Sequence, residues 1–332
     1  MDPLIVASLR RDSEGTILVF VSAVSFGFQP IFARFAYAQG VGVDELLFIR
    51  FLLAFLIMGT LLAASHRQVL PKRTALLALI ILGALVYFLQ STFYFTALLF
   101  SPVAIVALLL YTYPVFVTLG AYALGWEQVP RRLAGVFMIA LIGLILVANP
   151  FGTAIGLGVL LAFASAIIYT IYILAGSKVL RRVNGDVAAF CIMGAASVSF
   201  GLTGALTGSI HLNWSVAGWF WVVTIALVCT VLAATTFFIG ISKIGPSRAA
   251  LISLIEPVTS VLLFLALFGN KLTISQWFGG LLILVSTAIT TVYGKPLNRE
   301  PHPSAREPLG MKFSGAESYK LTDYVEYAAK RS

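Results

Sequence analysis

Long uncharged stretches alternate with short charged ones along the whole chain. Thr16–Ala33 has no charged residue over 18 positions, and Val43–Ser65 is a second apolar stretch with Arg50 inside it. Because about 20 apolar residues suffice to cross a bilayer as a helix, each of these stretches predicts one membrane span. Three further stretches are long enough for two helices each: Thr74–Trp126, Leu133–Ser177 and Val187–Ser242. The last two stretches, Ala249–Asn270 and Leu272–Gly294, are long enough for one helix each. The pattern predicts an all-α polytopic membrane protein with ten transmembrane helices.

Basic residues gather on one side of the predicted membrane. Successive helices cross the membrane in opposite directions, so their ends alternate between its two sides. The loops on one side contain a single basic residue, Lys271. The helix ends on the other side contain Arg10, Arg11, Arg67, Lys72, Arg73, Arg131, Arg132, Lys178, Arg181, Arg182, Lys243, Arg248, Lys295 and Arg299. Since basic loops are retained in the cytoplasm, we expect an inner-membrane protein with both termini cytoplasmic. The connections near Ser101-Pro102, Pro150-Phe151 and His211–Asn213 should then face outward.

The two halves of the chain repeat each other at a nearly constant offset. Four landmarks of the first half recur in the second: Ser22-Ala23 as Ser165-Ala166, Asp44 as Asp186, Tyr113-Pro114 as Glu256-Pro257, and Gly125 as Gly269. This shared offset predicts two five-helix repeats, residues 16–149 and 153–293. An odd number of helices per repeat inverts the second copy, an architecture typical of transporters. Residues 1–15 are expected to be a cytoplasmic N-terminus, and residues 294–332 a cytoplasmic tail, disordered or partly left by an expression vector.

Composition excludes several classes of protein. Hydrophobic residues make up 60% of the chain, charged residues 11%, and the mean hydropathy is +0.98, which is too apolar for a soluble domain. The net charge of +9 is explained by membrane orientation, so no nucleic-acid partner is expected. Cys191 and Cys229 lie in apolar runs, and the three histidines are scattered, so we expect no metal site and no cofactor.

Polar and aromatic side chains recur at helical spacing on several predicted helices. They form stripes that face the protein interior, because lipid does not solvate polar groups. Serines in such stripes are more typical of contacts between helices, whereas glutamines and tyrosines are long enough to line a cavity. The candidate cavity residues found in this way are Ser25, Gln29, Tyr87, Gln90, Tyr94, Tyr111, Tyr169, Tyr172 and Glu256.

Glu256 is the acid with the longest uncharged surroundings in the chain. Three interpretations stay open: the carboxyl is protonated, it is hydrogen-bonded to a neighbouring helix, or it belongs to a proton relay. In the last case protons would be the coupling ion. Arg50 is expected instead to snorkel outward or to pair with Asp44 or Glu45. Three prolines within predicted helices are expected to form kinks or hinges: Pro30, Pro114 and Pro257.

An ordered set of short motifs resembles one known family. Arg50-Phe51-Leu52-Leu53-Ala54 opens helix 2, Tyr113-Pro114-Val115-Phe116 precedes Leu124-Gly125-Trp126-Glu127, and Glu256-Pro257-Val258 with Phe268-Gly269 and Gly279-Gly280 repeats them. In this the chain is similar to the EamA family of the drug/metabolite transporter superfamily over residues 16–293. It departs at Trp126 and at Asn270-Lys271. The resemblance implies ten helices, an inverted repeat, export of amino acids or other small metabolites, and a cavity lined by helices 1, 3, 4, 6, 8 and 9. Phe237 on helix 8 completes the candidate set.

Three function classes compete at this point. A secondary transporter exporting amino acids, aromatic ones among them, by alternating access fits the inverted repeat best. A passive channel for small solutes is the alternative. A membrane-embedded enzyme is disfavoured, because the chain contains no histidine cluster, no paired intramembrane acids and no nucleophile–base set, and so no catalytic residue is assigned.

Overall fold

The apolar stretches fold into helices throughout the described part of the chain. A computed structural model describes residues 3–64, 71–125, 132–148, 156–180, 183–244, 252–269 and 272–293. Within these ranges we number ten helices, three of which have an internal change of helix type or a break. They are α1 (Pro3–Ala38), α2 (Val43–Ala64), α3 (Arg73–Ile81, Leu82–Tyr87 and Phe88–Phe100), α4 (Val103–Leu110 and Tyr113–Ala123), α5 (Arg132–Ala148), α6 (Leu157–Leu180), α7 (Gly185–Thr207), α8 (Val216–Ala226, Leu227–Leu232 and Ala233–Ile244), α9 (Ile255–Phe268) and α10 (Ile274–Tyr293).

Seven of the described helices are long and apolar enough to cross a membrane, namely α1 to α4 and α6 to α8. The apolar parts of α5, α9 and α10 are shorter, at Gly135–Val147, Ile255–Phe268 and Ile274–Ile289, so a count of ten crossings remains a prediction. Large apolar side chains within the helices, such as Leu56 and Leu202, are exposed, as expected of helices that face lipid. The expected tail and the Pro150-Phe151 connection lie outside the described residues.

Helices of the two halves pack against each other in a reciprocal pattern. In the first half, α1 packs against α8 and α9; in the second half, its counterpart α6 packs against α3 and α4, the counterparts of α8 and α9. The remaining helices pair with their own counterparts, α2 with α7 and α5 with α10. Exchanging the two halves leaves this set of contacts unchanged. Such a pattern is that of two repeats related by a pseudo-twofold axis.

Local irregularities of the helices also come in pairs. A π-helical segment interrupts α3 at Leu82–Tyr87, and another interrupts α8 at Leu227–Leu232. Helix α4 breaks at Tyr111-Thr112, just before Pro114, and a turn at Ser253-Leu254 precedes α9, just before Pro257. These prolines therefore stand in the first turn of a helical segment, where their missing N–H is tolerated. Pro30 differs, because it lies inside the continuous helix α1.

Glycines bring α2 and α7 close together at two equivalent points. A Cβ on Gly59 would lie 2.9 Å from the ring of Phe190, and a Cβ on Gly201 would lie 2.7 Å from the ring of Phe48. Gly59 and Gly201 are related by the same offset as Asp44 and Asp186, and so are Phe48 and Phe190. The same ring-on-glycine contact is thus made twice, once from each repeat.

A buried carboxylate ties two interhelical connections to each other. Glu45, 4% exposed, accepts hydrogen bonds from the backbone N–H groups of Gly42 (2.8 Å), His211 (2.7 Å) and Leu212 (3.2 Å) and from the indole Nε1 of Trp214 (3.0 Å). Leu212 is held there with a positive φ of 48°. The carboxylate therefore joins the α1–α2 connection to the α7–α8 connection and so links the two repeats at one end.

Candidate functional site

Polar side chains from both repeats surround one cavity of about 110 Å³. Since one water needs roughly 10–15 Å³ measured in this way, the space is large enough for several waters or a small solute. Its walls come from α1, α2, α3, α4, α6 and α9, and α3 contributes the largest share. The lining residues are Phe26, Gln29, Arg50, Tyr87, Gln90, Ser91, Tyr94, Phe95, Leu110, Tyr111, Tyr113, Tyr169 and Glu256.

Arg50 turns inward, so the expectation that it snorkels or pairs with Asp44 or Glu45 is wrong. Its side chain is 2% exposed, with Nε donating to Thr230 Oγ1 and Nη2 donating to Gln29 Oε1, both at 2.7 Å. The acids one or two turns earlier are engaged elsewhere, because Glu45 binds the connections described above and Asp44 accepts from Ser209 (3.1 Å). The guanidinium is thereby held at the wall of the cavity.

Tyrosines form an aromatic part of the lining. Tyr87, where the π segment of α3 ends, packs its ring against that of Tyr172 at 5.1 Å, and Tyr172 stacks on Tyr169 at 5.7 Å. Tyr169 in turn meets Tyr113 edge-on at 4.7 Å. Stacked and edge-on pairs at these distances are favourable, so the rings support one another. The result is a surface with apolar ring faces and hydroxyl groups at its edges.

Glu256 contributes the acidic group of the cavity. It lies in the first turn of α9, is half-buried, and shares a hydrogen bond with the hydroxyl of Tyr111. Tyr94 lines the same cavity as Glu256 and Arg50. One turn after Glu256, the hydroxyl of Ser260 donates to the carbonyl of Gly27 at 2.8 Å, and this bond joins α9 to α1. A carboxylate and a guanidinium thus face one small space from different helices.

Gln90 is positioned by two serines. Its amide Nε2 donates to Ser165 Oγ at 3.1 Å, and the hydroxyl of Ser91 lies 3.3 Å from its Oε1. The interpretation of the serines as contacts between helices is confirmed for Ser22 and Ser165, which donate to backbone carbonyls of α8 and α3, and for Ser260.

Seven of the ten candidate residues line the cavity: Gln29, Tyr87, Gln90, Tyr94, Tyr111, Tyr169 and Glu256. The other three lie elsewhere. Ser25 is buried in α1, and Tyr172 lies behind Tyr87 and Tyr169. Phe237 packs against the small cluster of Val19 and Ile244. Within the described ranges, no three His, Cys, Asp or Glu side chains are grouped as metal ligands would be.

The candidate set lacks six of the lining residues: Phe26, Arg50, Ser91, Phe95, Leu110 and Tyr113. Among these six, Ser91 shares the stripe of Tyr87, Gln90 and Tyr94, but serines in such stripes are interpreted as contacts between helices. The repeat offset could have found two of the six. Tyr113 is the counterpart of Glu256, and Phe26 is the counterpart of Tyr169, both at the offset that relates Ser22 to Ser165. Both members of each pair line the cavity, as expected for a space close to the pseudo-twofold axis.

Sequences similar to this chain include two that are described as transporters. The sequence model of the EamA-like transporter family matches residues 13–149 and again 156–292, once for each repeat. An uncharacterized transporter of Archaeoglobus fulgidus is 29% identical over 83% of this chain and 95% of its own length. The uncharacterized transporter YcbK of Bacillus subtilis is 24% identical over 82% of this chain and 91% of its own.

A solved crystal structure has the same fold. It superposes with a TM-score of 0.61 at 22% identity and covers 84% of this chain and 97% of the other. At this identity the likeness concerns the fold alone.

Proposed function

Because the chain belongs to the EamA-like transporter family, we propose that this membrane transporter exports small amphipathic metabolites, amino acids foremost, through the cavity around Arg50 and Glu256. Export would proceed across the cytoplasmic membrane, with both termini in the cytoplasm, as the distribution of basic residues indicates.

One observation carries the choice of substrate. The cavity presents a guanidinium and a carboxylate that, in the described part of the chain, form no ion pair with each other. An amino acid carries both opposite charges and would satisfy both groups at once. The tyrosine-rich wall supplies apolar faces for a side chain, which favours aromatic amino acids among the candidates.

The reciprocal packing of the repeats supports alternating access. Helix α1 contacts α8 and α9 as α6 contacts α3 and α4, so tilting one repeat against the other would open one end of the cavity while closing the other. Glu256 would then couple the cycle to protons, since an intramembrane carboxylate near the cavity can be protonated on one side and deprotonated on the other.

Transport by the purified protein in proteoliposomes tests this function. Vesicles preloaded with unlabelled phenylalanine should accumulate labelled phenylalanine transiently against its gradient, because a carrier exchanges bound substrate at both faces. A passive channel would give no such counterflow. If none of the twenty amino acids shows counterflow with or without a pH gradient, the proposed substrate class is wrong.

A further inference from the structure

Arg50 is placed where the fold itself has no need of a charge. It lies in α2, which is otherwise apolar from Leu46 to Ala64. Its counterpart in the second repeat, at the offset that relates Asp44 to Asp186, is Ile192. Insertion of an arginine at the centre of a membrane helix costs roughly 3 kcal/mol. Since Ile192 fills the equivalent position of α7, the pairing of α2 with α7 does not require the cation.

The guanidinium of Arg50 is held in one orientation by three other helices. From α1, Gln29 Oε1 accepts from Nη2, and from α8, Thr230 Oγ1 accepts from Nε. Thr230 lies in the π segment of α8 and donates to the carbonyl of Ile225 at 3.2 Å, which directs its lone pairs to the arginine. The Phe95 ring of α3 lies 5.3 Å from Cζ, a cation–π distance. All of these partners are uncharged.

No counterion for Arg50 is found among the residues that the structure describes. None of their carboxylates lies within 4 Å of it, and the guanidinium lines the cavity. Two of its five N–H groups donate to Thr230 and Gln29. A buried cation without an anion is costly, and a guanidinium presents a planar fork of donors that fits a carboxylate.

We propose that Arg50 binds the carboxylate of the transported substrate and so restricts the carrier to organic acids, amino acids included, against neutral or purely cationic solutes. The proposal rests on the proposed function, because it assumes that the substrate occupies this cavity. Gln29 belongs to the same binding site: its Oε1 accepts from Arg50, which leaves its amide N–H groups for a second oxygen of the same carboxylate. Glu256 of α9 and Tyr111 of α4, which line the same cavity, would take the ammonium group.

Binding of four related probes to the full-length protein in detergent tests the assignment. The probes are L-phenylalanine, L-phenylalaninamide, 3-phenylpropionate and 2-phenylethylamine, with affinities taken from the dependence of the melting temperature on ligand concentration. The two carboxylates should bind wild type more tightly than the amide and the amine. Arg50→Gln should weaken both carboxylates about tenfold or more, since a charge-assisted contact is lost, and should not weaken 2-phenylethylamine, which has no carboxylate.

Arg50→Lys and Arg34→Gln are the matched variants. Lysine keeps the positive charge but lacks the planar pair of N–H donors of the guanidinium, so Arg50→Lys should weaken carboxylate binding less than Arg50→Gln does. Arg34→Gln removes one positive charge from α1 outside the cavity lining and should bind all four probes as wild type does. If Arg50→Gln does not fold, the wild-type comparison of acid with amide decides, because equal affinities overturn the proposal.

The outcomes separate the two proposals. If wild type binds 3-phenylpropionate through Arg50 but no amino acid shows counterflow, the amino-acid assignment fails and the carboxylate site stands. If phenylalanine is transported but binds Arg50→Gln as tightly as wild type, the transporter assignment stands and Arg50 serves the packing of helices only.

Discussion

The hydroxyl of Ser22 in α1 donates a buried hydrogen bond of 2.7 Å to the backbone carbonyl of Ala233 in α8. The second repeat contains the same bond, from Ser165 in α6 to the carbonyl of Gln90 in α3 at 3.2 Å. The two serines are repeat counterparts, and the two carbonyl residues are related by the same offset. The duplication is therefore visible in individual hydrogen bonds as well as in helix order. The two bonds differ in one respect: only Ser165 also contacts a side chain of the cavity, that of Gln90.

Alanine at the two serines should separate stability from function. Ser22→Ala removes one buried hydrogen bond and should destabilise the protein by about 1 kcal/mol. Ser165→Ala removes two, because Ser165 also accepts from the side chain of Gln90, and should lower the melting temperature more. Only Ser165→Ala frees the amide of Gln90, and only this variant should raise KM for transport. Equal KM values in the two variants would show that the orientation of Gln90 is irrelevant to transport.

Two glycines of α5 should respond oppositely to alanine. A Cβ on Gly143 would lie 2.8 Å from the carbonyl oxygen of Gly279 in α10, whereas a Cβ on Gly135 would meet nothing within 4 Å. Gly143→Ala must push two backbones apart and should cost about 1–3 kcal/mol, as overpacking does. Gly135→Ala should be neutral or slightly stabilising, because alanine favours helix. Thermal unfolding in detergent measures both, and the reverse order would contradict the close α5–α10 contact.

Removal of the Glu45 carboxylate should loosen the end of the protein where it joins two connections. Glu45→Ala leaves the N–H groups of His211 and Leu212 without their acceptor, so we expect a loss of roughly 3 kcal/mol or more and a melting temperature lower by several degrees. Glu45→Gln keeps one acceptor oxygen and should fall between wild type and alanine. A membrane-impermeant thiol reagent applied from outside should modify a cysteine at position 211 faster in Glu45→Ala. An unchanged melting temperature would contradict this role.

The repeat counterparts Tyr94 and Phe237 should differ in their effect on transport. Tyr94 lines the cavity, whereas Phe237 packs near Val19 and Ile244. Tyr94→Ala, alone or with Gln90→Ala, should raise KM or abolish transport while the protein stays folded. Phe237→Ala should lower thermal stability and leave KM unchanged. A raised KM for Phe237→Ala in initial-rate assays would place helix 8 in the substrate path, as the family resemblance implies.

Spacing and repetition in the sequence predicted much of this arrangement, because both follow from the fold's regular parts. The offset of Ser22 from Ser165 predicted the two-repeat architecture, and the stripe of Tyr87, Gln90 and Tyr94 predicted a wall of the cavity. Spacing on a single helix does not say which neighbour a side chain meets. For this reason it failed for Arg50, whose partners Gln29 and Thr230 come from distant parts of the chain.

The irregular features escaped prediction for a related reason. The π segments at Leu82–Tyr87 and Leu227–Leu232 contain neither proline nor a distinctive motif, and their geometry depends on the helices packed around them. Phe237 belongs to the candidate cavity residues only because it lies on helix 8. Its equivalent in the first repeat, Tyr94, lines the cavity, whereas Phe237 does not.

Transport by Glu256→Gln across a series of pH values tests whether the carboxyl of Glu256 takes part in transport, because glutamine keeps the shape and removes the charge. We expect a folded, inserted protein whose counterflow of labelled phenylalanine is strongly reduced, or whose dependence on pH is lost, in vesicles where wild type is active. Tyr113, the counterpart of Glu256, shows that a neutral residue can precede the equivalent proline, so the fold should tolerate the change. Wild-type rates for Glu256→Gln at every pH would show that the carboxyl of Glu256 takes no part in transport and that Glu256 is a structural residue of α9.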